Sequence, residues 1–113
     1  MHEFSMAIEV ISLAEREAEK NKAHTISEII IEVGDLSGVE ADAFESALGL
    51  LVKGSMLDNA LVSILRIPGR GRCNACDQEF EMNHRMATCP KCRCFPSEIN
   101  GGQEFRVVSL MVE

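Results

Sequence analysis

The sequence has no tryptophan and no tyrosine, and its aromatic content rests on five phenylalanines. A protein that grips nucleobases by stacking needs a richer supply. Basic residues are also scarce. Lys plus Arg is 11 against 18 for Asp plus Glu, a formal net charge of −7. A binder of the phosphate backbone would show the opposite balance, so nucleic acid is not an expected partner. No apolar run approaches the roughly 20 residues of a membrane span, so no membrane is expected either. The start, Met1-His2-Glu3, has neither the basic flank nor the apolar stretch of a secretory signal, and a cytoplasmic location is the expectation.

What is present fits one small globular unit, or at most two very small ones. The chain has 113 residues, of which 46% are hydrophobic, enough to build a core. Five cysteines in so short a chain are notable. In a reducing cytosol they point to metal ligation more than to disulfides, and an odd count fits pairing poorly.

Charge divides the chain. Residues 1–69 carry 12 acids and 5 bases, residues 70–104 carry 5 of each, and all five Cys lie within Cys73–Cys94. This pattern suggests an acidic body, 1–69 with 104–113, and a metal-binding insert, 70–103. Phe4 to about Lys22 is helical, with Ala7, Val10, Ile11, Ala14 and Ala18 on one face. Thr25–Val33 reads as a strand. Ser37-Gly38-Val39-Glu40 has the form of a capping box and opens a second helix that buries Phe44, Ala47, Leu48 and Leu51. Ala60–Ile67 is apolar on both faces and reads as a central strand. The closing segment Glu104–Val112 is a further strand, with Phe105, Val107 and Met111 on one side and Val108, Leu110 and Val112 on the other. The expected fold is α+β: a small three-stranded mixed sheet with two helices on one face, plus an inserted zinc-ribbon-like domain. The strand–helix–strand unit should make its two strands parallel.

The strongest local signal is Cys73-x-x-Cys76 followed, after twelve residues, by Cys89-x-x-Cys92. Two cysteines three apart in a tight turn aim both sulfurs at one ion. Two such turns give four thiolates in a tetrahedron, the geometry Zn2+ accepts without penalty. Phe80 and Met82 in the linker can cover the site. The insert has few other apolar residues, chiefly Met86 and Phe95. A rubredoxin-like iron centre would share this geometry, and a redox dithiol is a further alternative. Four cysteines leave no open coordination position, so the ion is expected to be structural. Cys94 reads as a spare thiol, or as a ligand that swaps in when the site is disturbed.

His2 directly after Met1 offers a second metal site. The Met1 α-amine, the His2 amide and imidazole nitrogens, and the Glu3 amide can close a nitrogen square suited to Ni2+ or Cu2+. By itself a histidine near a chain start is a weak signal, but this one has company along the chain. Met1-His2-Glu3 with Ser5, then Gly34-Asp35-Leu36-Ser37-Gly38-Val39-Glu40, Gly54 with Ala60, the two Cys-x-x-Cys pairs, and Gly101-Gly102-x-Glu104 together resemble the HypA/HybF-type hydrogenase maturation factors, along the whole chain. The resemblance implies a nickel metallochaperone without catalysis of its own. It would deliver Ni2+ to the large subunit of [NiFe] hydrogenase, work with a HypB-type GTPase, and in some organisms serve urease. By the same resemblance His2 is the key nickel ligand, with Glu3 and the Met1 terminus contributing, and Cys73, Cys76, Cys89 and Cys92 hold structural Zn2+. The chain departs from the family at Ala41-Asp42-Ala43-Phe44, where proline and a Phe-rich helix are usual, and Cys94 is not one of the usual four. His84, between the two Cys pairs, is the candidate for a further nickel ligand, and His24 reads as a loop residue. The rival expectation is a zinc-ribbon adaptor that binds protein or nucleic acid without nickel.

Overall fold

A computed structural model describes residues 2–113. The elements in order are α1 (His2–Lys20), β1 (Ile26–Gly34), α2 (Ala41–Leu51), β2 (Leu61–Ile67), β3 (Gly69–Cys73), β4 (Glu79–Met82), β5 (Pro96–Gly101) and β6 (Phe105–Val112). They form two three-stranded sheets, ordered β2-β1-β6 and β4-β3-β5. The molecule is elongated, with extents of 54 × 26 × 17 Å.

The first sheet is mixed, with β1 parallel to β2 and antiparallel to β6. Helix α1 buries the stripe Ala7, Val10, Ile11, Ala14 and Ala18, as the three- and four-residue spacing predicts. It ends in a Schellman-type turn. The Ala23 N–H donates to the Ala18 carbonyl, the Lys22 N–H donates to Glu19, and Lys22 takes φ 57°. Ile26, Ile29, Ile31 and Val33 of β1 face the helices, where Phe44, Ala47 and Leu48 of α2 complete the core. Phe44 meets Phe105 of β6 edge to face, with ring centroids 5.2 Å apart. Each fully buried Ile, Leu or Phe of this core contributes about 1.5–3 kcal/mol relative to exposure.

Three expectations need correction. β1, not β2, is the central strand, and Leu61 of β2 is 63% exposed. The two apolar faces of β2 reflect a sheet edge with one face left open. The helix start also differs. Ser37 Oγ accepts from the Val39 N–H, while Glu40 is the N-cap of α2 and accepts from Asp42 and Ala43 N–H. The S-x-x-E spacing is right, but the Glu caps forwards instead of reaching back. On β6 a bulge skips Val108, because Ile30 pairs with Ser109 and Ile31 with Val107. The bulge turns Leu110 and Val112 to the same core as Phe105 and Val107, and leaves Met111 outside.

The second sheet forms around glycine. A Cβ on Gly71 of β3 would lie 2.6 Å from Met82 Sδ and 2.9 Å from Pro96 Cβ, so only glycine lets β4 and β5 close on it. Phe80 and Met82 are buried as expected, but Met86 and Phe95 are 68% and 59% exposed. The missing apolar side chain is Leu36, which leaves the end of β1 and packs with Cys73, Phe80, Met82 and Cys89. The sheets join at close backbone contacts. The Leu36 N–H donates to the Gly102 carbonyl at 2.6 Å, and Arg85 Nη2 donates to the Leu36 carbonyl at 2.8 Å. At φ 92°, Gly102 passes so near Gly69 that a Cβ would sit 2.4 Å from the Gly69 Cα.

Candidate metal centres

Cys73, Cys76, Cys89 and Cys92 converge, with all four Sγ atoms within 4.8 Å of one another. Cys76 and Cys89 Sγ are 3.8 Å apart. A tetrahedron with metal–sulfur bonds of about 2.3 Å has sulfur–sulfur edges of about 3.8 Å, so the donor set fits a four-coordinate ion of that size. Cys73 and Cys89 are buried, and Cys76 and Cys92 are half-buried.

Two matching turns hold the sulfurs. In the first, the Cys73 N–H donates to the Gln78 carbonyl, the Asp77 N–H returns to the Cys73 carbonyl, and Asp77 has φ 59°. In the second, the Cys89 N–H donates to the Cys94 carbonyl, the Arg93 N–H returns to the Cys89 carbonyl, and Arg93 has φ 60°. The sequence gives no hint of this repeat beyond the C-x-x-C spacing, because Asp77 and Arg93 share no chemistry. Asp77 is tied down further by Arg72 Nη1 at 3.2 Å. The Cys92 N–H points at Cys89 Sγ at 3.4 Å, the type of backbone support a metal-bound thiolate takes.

The thiols divide electrostatically. The backbone N–H of Cys76, with that of Ala75, lowers Cys73 to about 7. Cys92 is pushed up to about 12, first by hydrogen bonding with Cys76 and then by burial. Backbone N–H groups thus favour the Cys73 thiolate, and the neighbouring sulfurs favour the protonated form of Cys92.

Cys94 stands outside the cluster. Its carbonyl closes the second turn, and its exposed Sγ lies 3.6 Å from the Cys92 carbonyl. His84 Nδ1 accepts from the Met86 N–H at 3.2 Å within the turn that follows β4, and His24 is exposed in the loop before β1, its N–H bonded to the Glu113 carbonyl.

At the other site, Met1 lies outside the described residues. His2 opens α1, and its side chain is 60% exposed. Its Nδ1 lies 3.7 Å from Glu3 Oε2, and that oxygen accepts the Glu40 N–H at 3.0 Å. The Glu40 amide is the chief cause that holds the Glu3 carboxyl below the usual glutamate range. Sequence reasoning places Glu3 only at the nickel site. Its tie to a residue 37 positions away carries no local signal.

No helix among the described residues is long and apolar enough to cross a membrane. The sequence matches, over residues 1–112, the family described as hydrogenase/urease nickel incorporation, metallochaperone, hypA. It is 37% identical to the hydrogenase maturation factor HypA of Parabacteroides distasonis, with 100% of this chain and 98% of that protein covered. It is 34% identical to HypA of Geobacter metallireducens, with full coverage of both. Among solved structures, the nickel metallochaperone HypA of Helicobacter pylori superposes with a TM-score of 0.63 at 28% identity, covering 97% of this chain and 96% of that one. A small mixed sheet under two helices, a four-thiol cluster on a second sheet, and whole-length similarity lead to one assignment: the chain belongs to the HypA family of nickel-incorporation metallochaperones, which are maturation factors and not enzymes.

Proposed function

We propose that this protein binds Ni2+ at its N-terminus and hands it to the large subunit of [NiFe] hydrogenase during maturation, in the cytoplasm and together with a HypB-type GTPase. Urease maturation is the second client where an organism has that enzyme. The body, 1–69 with 104–113, carries the nickel. The insert, 70–103, holds a structural Zn2+ on Cys73, Cys76, Cys89 and Cys92.

The observation that carries the nickel assignment is the setting of His2. Its imidazole is exposed at the first turn of α1. The first N–H groups of a helix have no intrahelical acceptor, so the His2 and Glu3 amides can give up their protons without costing α1 a hydrogen bond. With the Met1 amine and the imidazole they are nitrogen donors of the kind Ni2+ favours. A site at an exposed chain end lets a partner remove the ligands one at a time. The thiolate site is the opposite. Its four sulfurs would fill every position of a tetrahedral ion, which suits it to hold that ion permanently.

Nickel titration of the zinc-loaded protein at neutral pH tests this. About one further Ni2+ should bind in a diamagnetic, weakly absorbing, square-planar site. His2→Ala should abolish it and leave zinc in place. A folded His2→Ala protein that binds nickel as the parent does would refute the assignment. No uptake beyond zinc by the parent would favour a zinc-ribbon adaptor.

A further inference from the structure

We propose that the Glu3 carboxylate is a positioning group and not a nickel ligand: it fastens the metal-binding end of α1 to the start of α2 through the Glu40 amide. The inference rests on the proposed nickel site and says how that site is held.

The geometry separates two neighbouring side chains by role. Glu3 Oε2 accepts the Glu40 N–H at 3.0 Å. The same oxygen is 3.7 Å from His2 Nδ1, beyond hydrogen-bonding distance, so the backbone amide and not the imidazole is its close partner. The Glu3 side chain is 23% exposed against 60% for His2, so the carboxylate turns inward while the imidazole faces solvent.

The anchor is itself fixed. Glu40 offers its amide to Glu3 and turns its own carboxylate the other way, accepting from Asp42 N–H at 3.3 Å and Ala43 N–H at 2.7 Å. Asp42 in turn pairs with Arg66 of β2. Glu3 is therefore tied to the N-cap residue of α2, whose own carboxylate is fixed by the first turn of that helix. Without it, the first turn of α1 would fray as exposed helix ends do.

The nickel site does not depend on a carboxylate to form. The Met1 amine, the His2 amide and the imidazole already chelate an ion through linked five- and six-membered rings. A carboxylate drawn onto the metal would leave the Glu40 N–H without its acceptor. One that stays on Glu40 keeps a negative charge close to the bound cation without entering its coordination. It also gives the loaded site a fixed place on the surface, beside the α2 N-terminus, instead of a freely moving end.

The test uses zinc-loaded protein with Ni2+ as the probe, and compares the parent with Glu3→Gln and Glu3→Ala. The readouts are nickel affinity by competitive titration, and the chemical shift and exchange rate of the Glu40 amide proton by NMR with and without nickel. The Gln carbonyl still accepts a hydrogen bond. Glu3→Gln should therefore keep nickel affinity within about threefold and leave the Glu40 amide protected. Glu3→Ala should free that amide and weaken nickel by about three- to tenfold, the worth of one ordinary hydrogen bond. Loading the parent with nickel should leave the Glu40 amide protected. The proposal is overturned if Glu3→Gln loses nickel as severely as Glu3→Ala, or if nickel loading of the parent frees the Glu40 amide, because either result puts the carboxylate on the metal. A parent that takes up no nickel overturns the nickel assignment itself, a result distinct from both.

Discussion

Leu36→Ala perturbs a residue that leaves the last turn of one sheet and packs inside the other. Leu36 is 1% exposed and belongs to a buried cluster of five with Cys73, Phe80, Met82 and Cys89. Removing three buried carbons at about 0.8 kcal/mol each costs about 2.4 kcal/mol in transfer free energy. Leu36 Cγ and Cδ1 press against Gly69, which has no side chain to move into the space. The cavity therefore persists, and a cavity term brings the total to about 3–4 kcal/mol, within the usual Leu→Ala range. Ordering of so small a unit is coupled to metal capture, so the loss appears as weaker zinc binding. At tenfold per 1.4 kcal/mol, a loss of about 3–4 kcal/mol lowers apparent affinity by about 140- to 700-fold. Competition with a chromogenic chelator at neutral pH reads this. Far-UV circular dichroism follows the helices, because the chain has no Trp or Tyr to report by fluorescence. The helical signal should stay near the parent's. Leu36→Met, similar in volume, should cost under about 1.5 kcal/mol and stay within roughly tenfold. A zinc affinity for Leu36→Ala within threefold of the parent would refute the placement of Leu36 in the cysteine core.

Cys76→Ser removes one of four sulfurs and should unravel the segment around residues 70–100 while α1 and α2 persist; loss of the entire helical signal would contradict the separation of the two cores. Gly102→Ala meets both φ 92° and a Cβ 2.4 Å from the Gly69 Cα, so it should destabilise the protein by more than about 3 kcal/mol in thermal melts. Gly38→Ala, at φ 85° but in open space, should cost only about 1 kcal/mol; equal effects would show that crowding at the junction is overstated. The Glu3 carboxyl, held down by the Glu40 amide, adds stability that is present above its unfolded value and is lost as pH falls through its lower folded value. An NMR titration should place its midpoint below the ordinary glutamate value of about 4.3; a midpoint at or above that value would mean that the contact is absent in solution.

Much of the fold was legible because its cores obey simple periods. The α1 stripe follows helical spacing, and Ile29, Ile31 and Val33 alternate along β1. The second sheet was not legible as strands. Gly69-Arg70-Gly71-Arg72-Cys73 has no apolar alternation, and it pairs on both sides because its glycines admit Met82 and Pro96. The simple alternation expected along β6 breaks at Val108, because a bulge leaves no mark in composition. At the cysteine site the spacing alone named the four residues that converge, since C-x-x-C is a local geometry. The Glu3–Glu40 contact and the entry of Leu36 into the cysteine core join residues far apart in sequence, and local patterns do not encode them.

The chain enters the cysteine sheet at Gly69 and returns at Gly102, and these two backbones touch. β2 ends at Ile67 and β6 begins at Phe105, and both must pair with β1. While the stretch 68–104 is loose, bringing β6 to β1 closes a long loop. Once that stretch is ordered with its ends in contact, only a few residues remain to be closed. The difference in loop-closure entropy is about 2 kcal/mol at 25 °C. A cation captured by four thiolates at one end of the molecule thus shortens the search that β6 must make at the other, though it touches no atom of that strand.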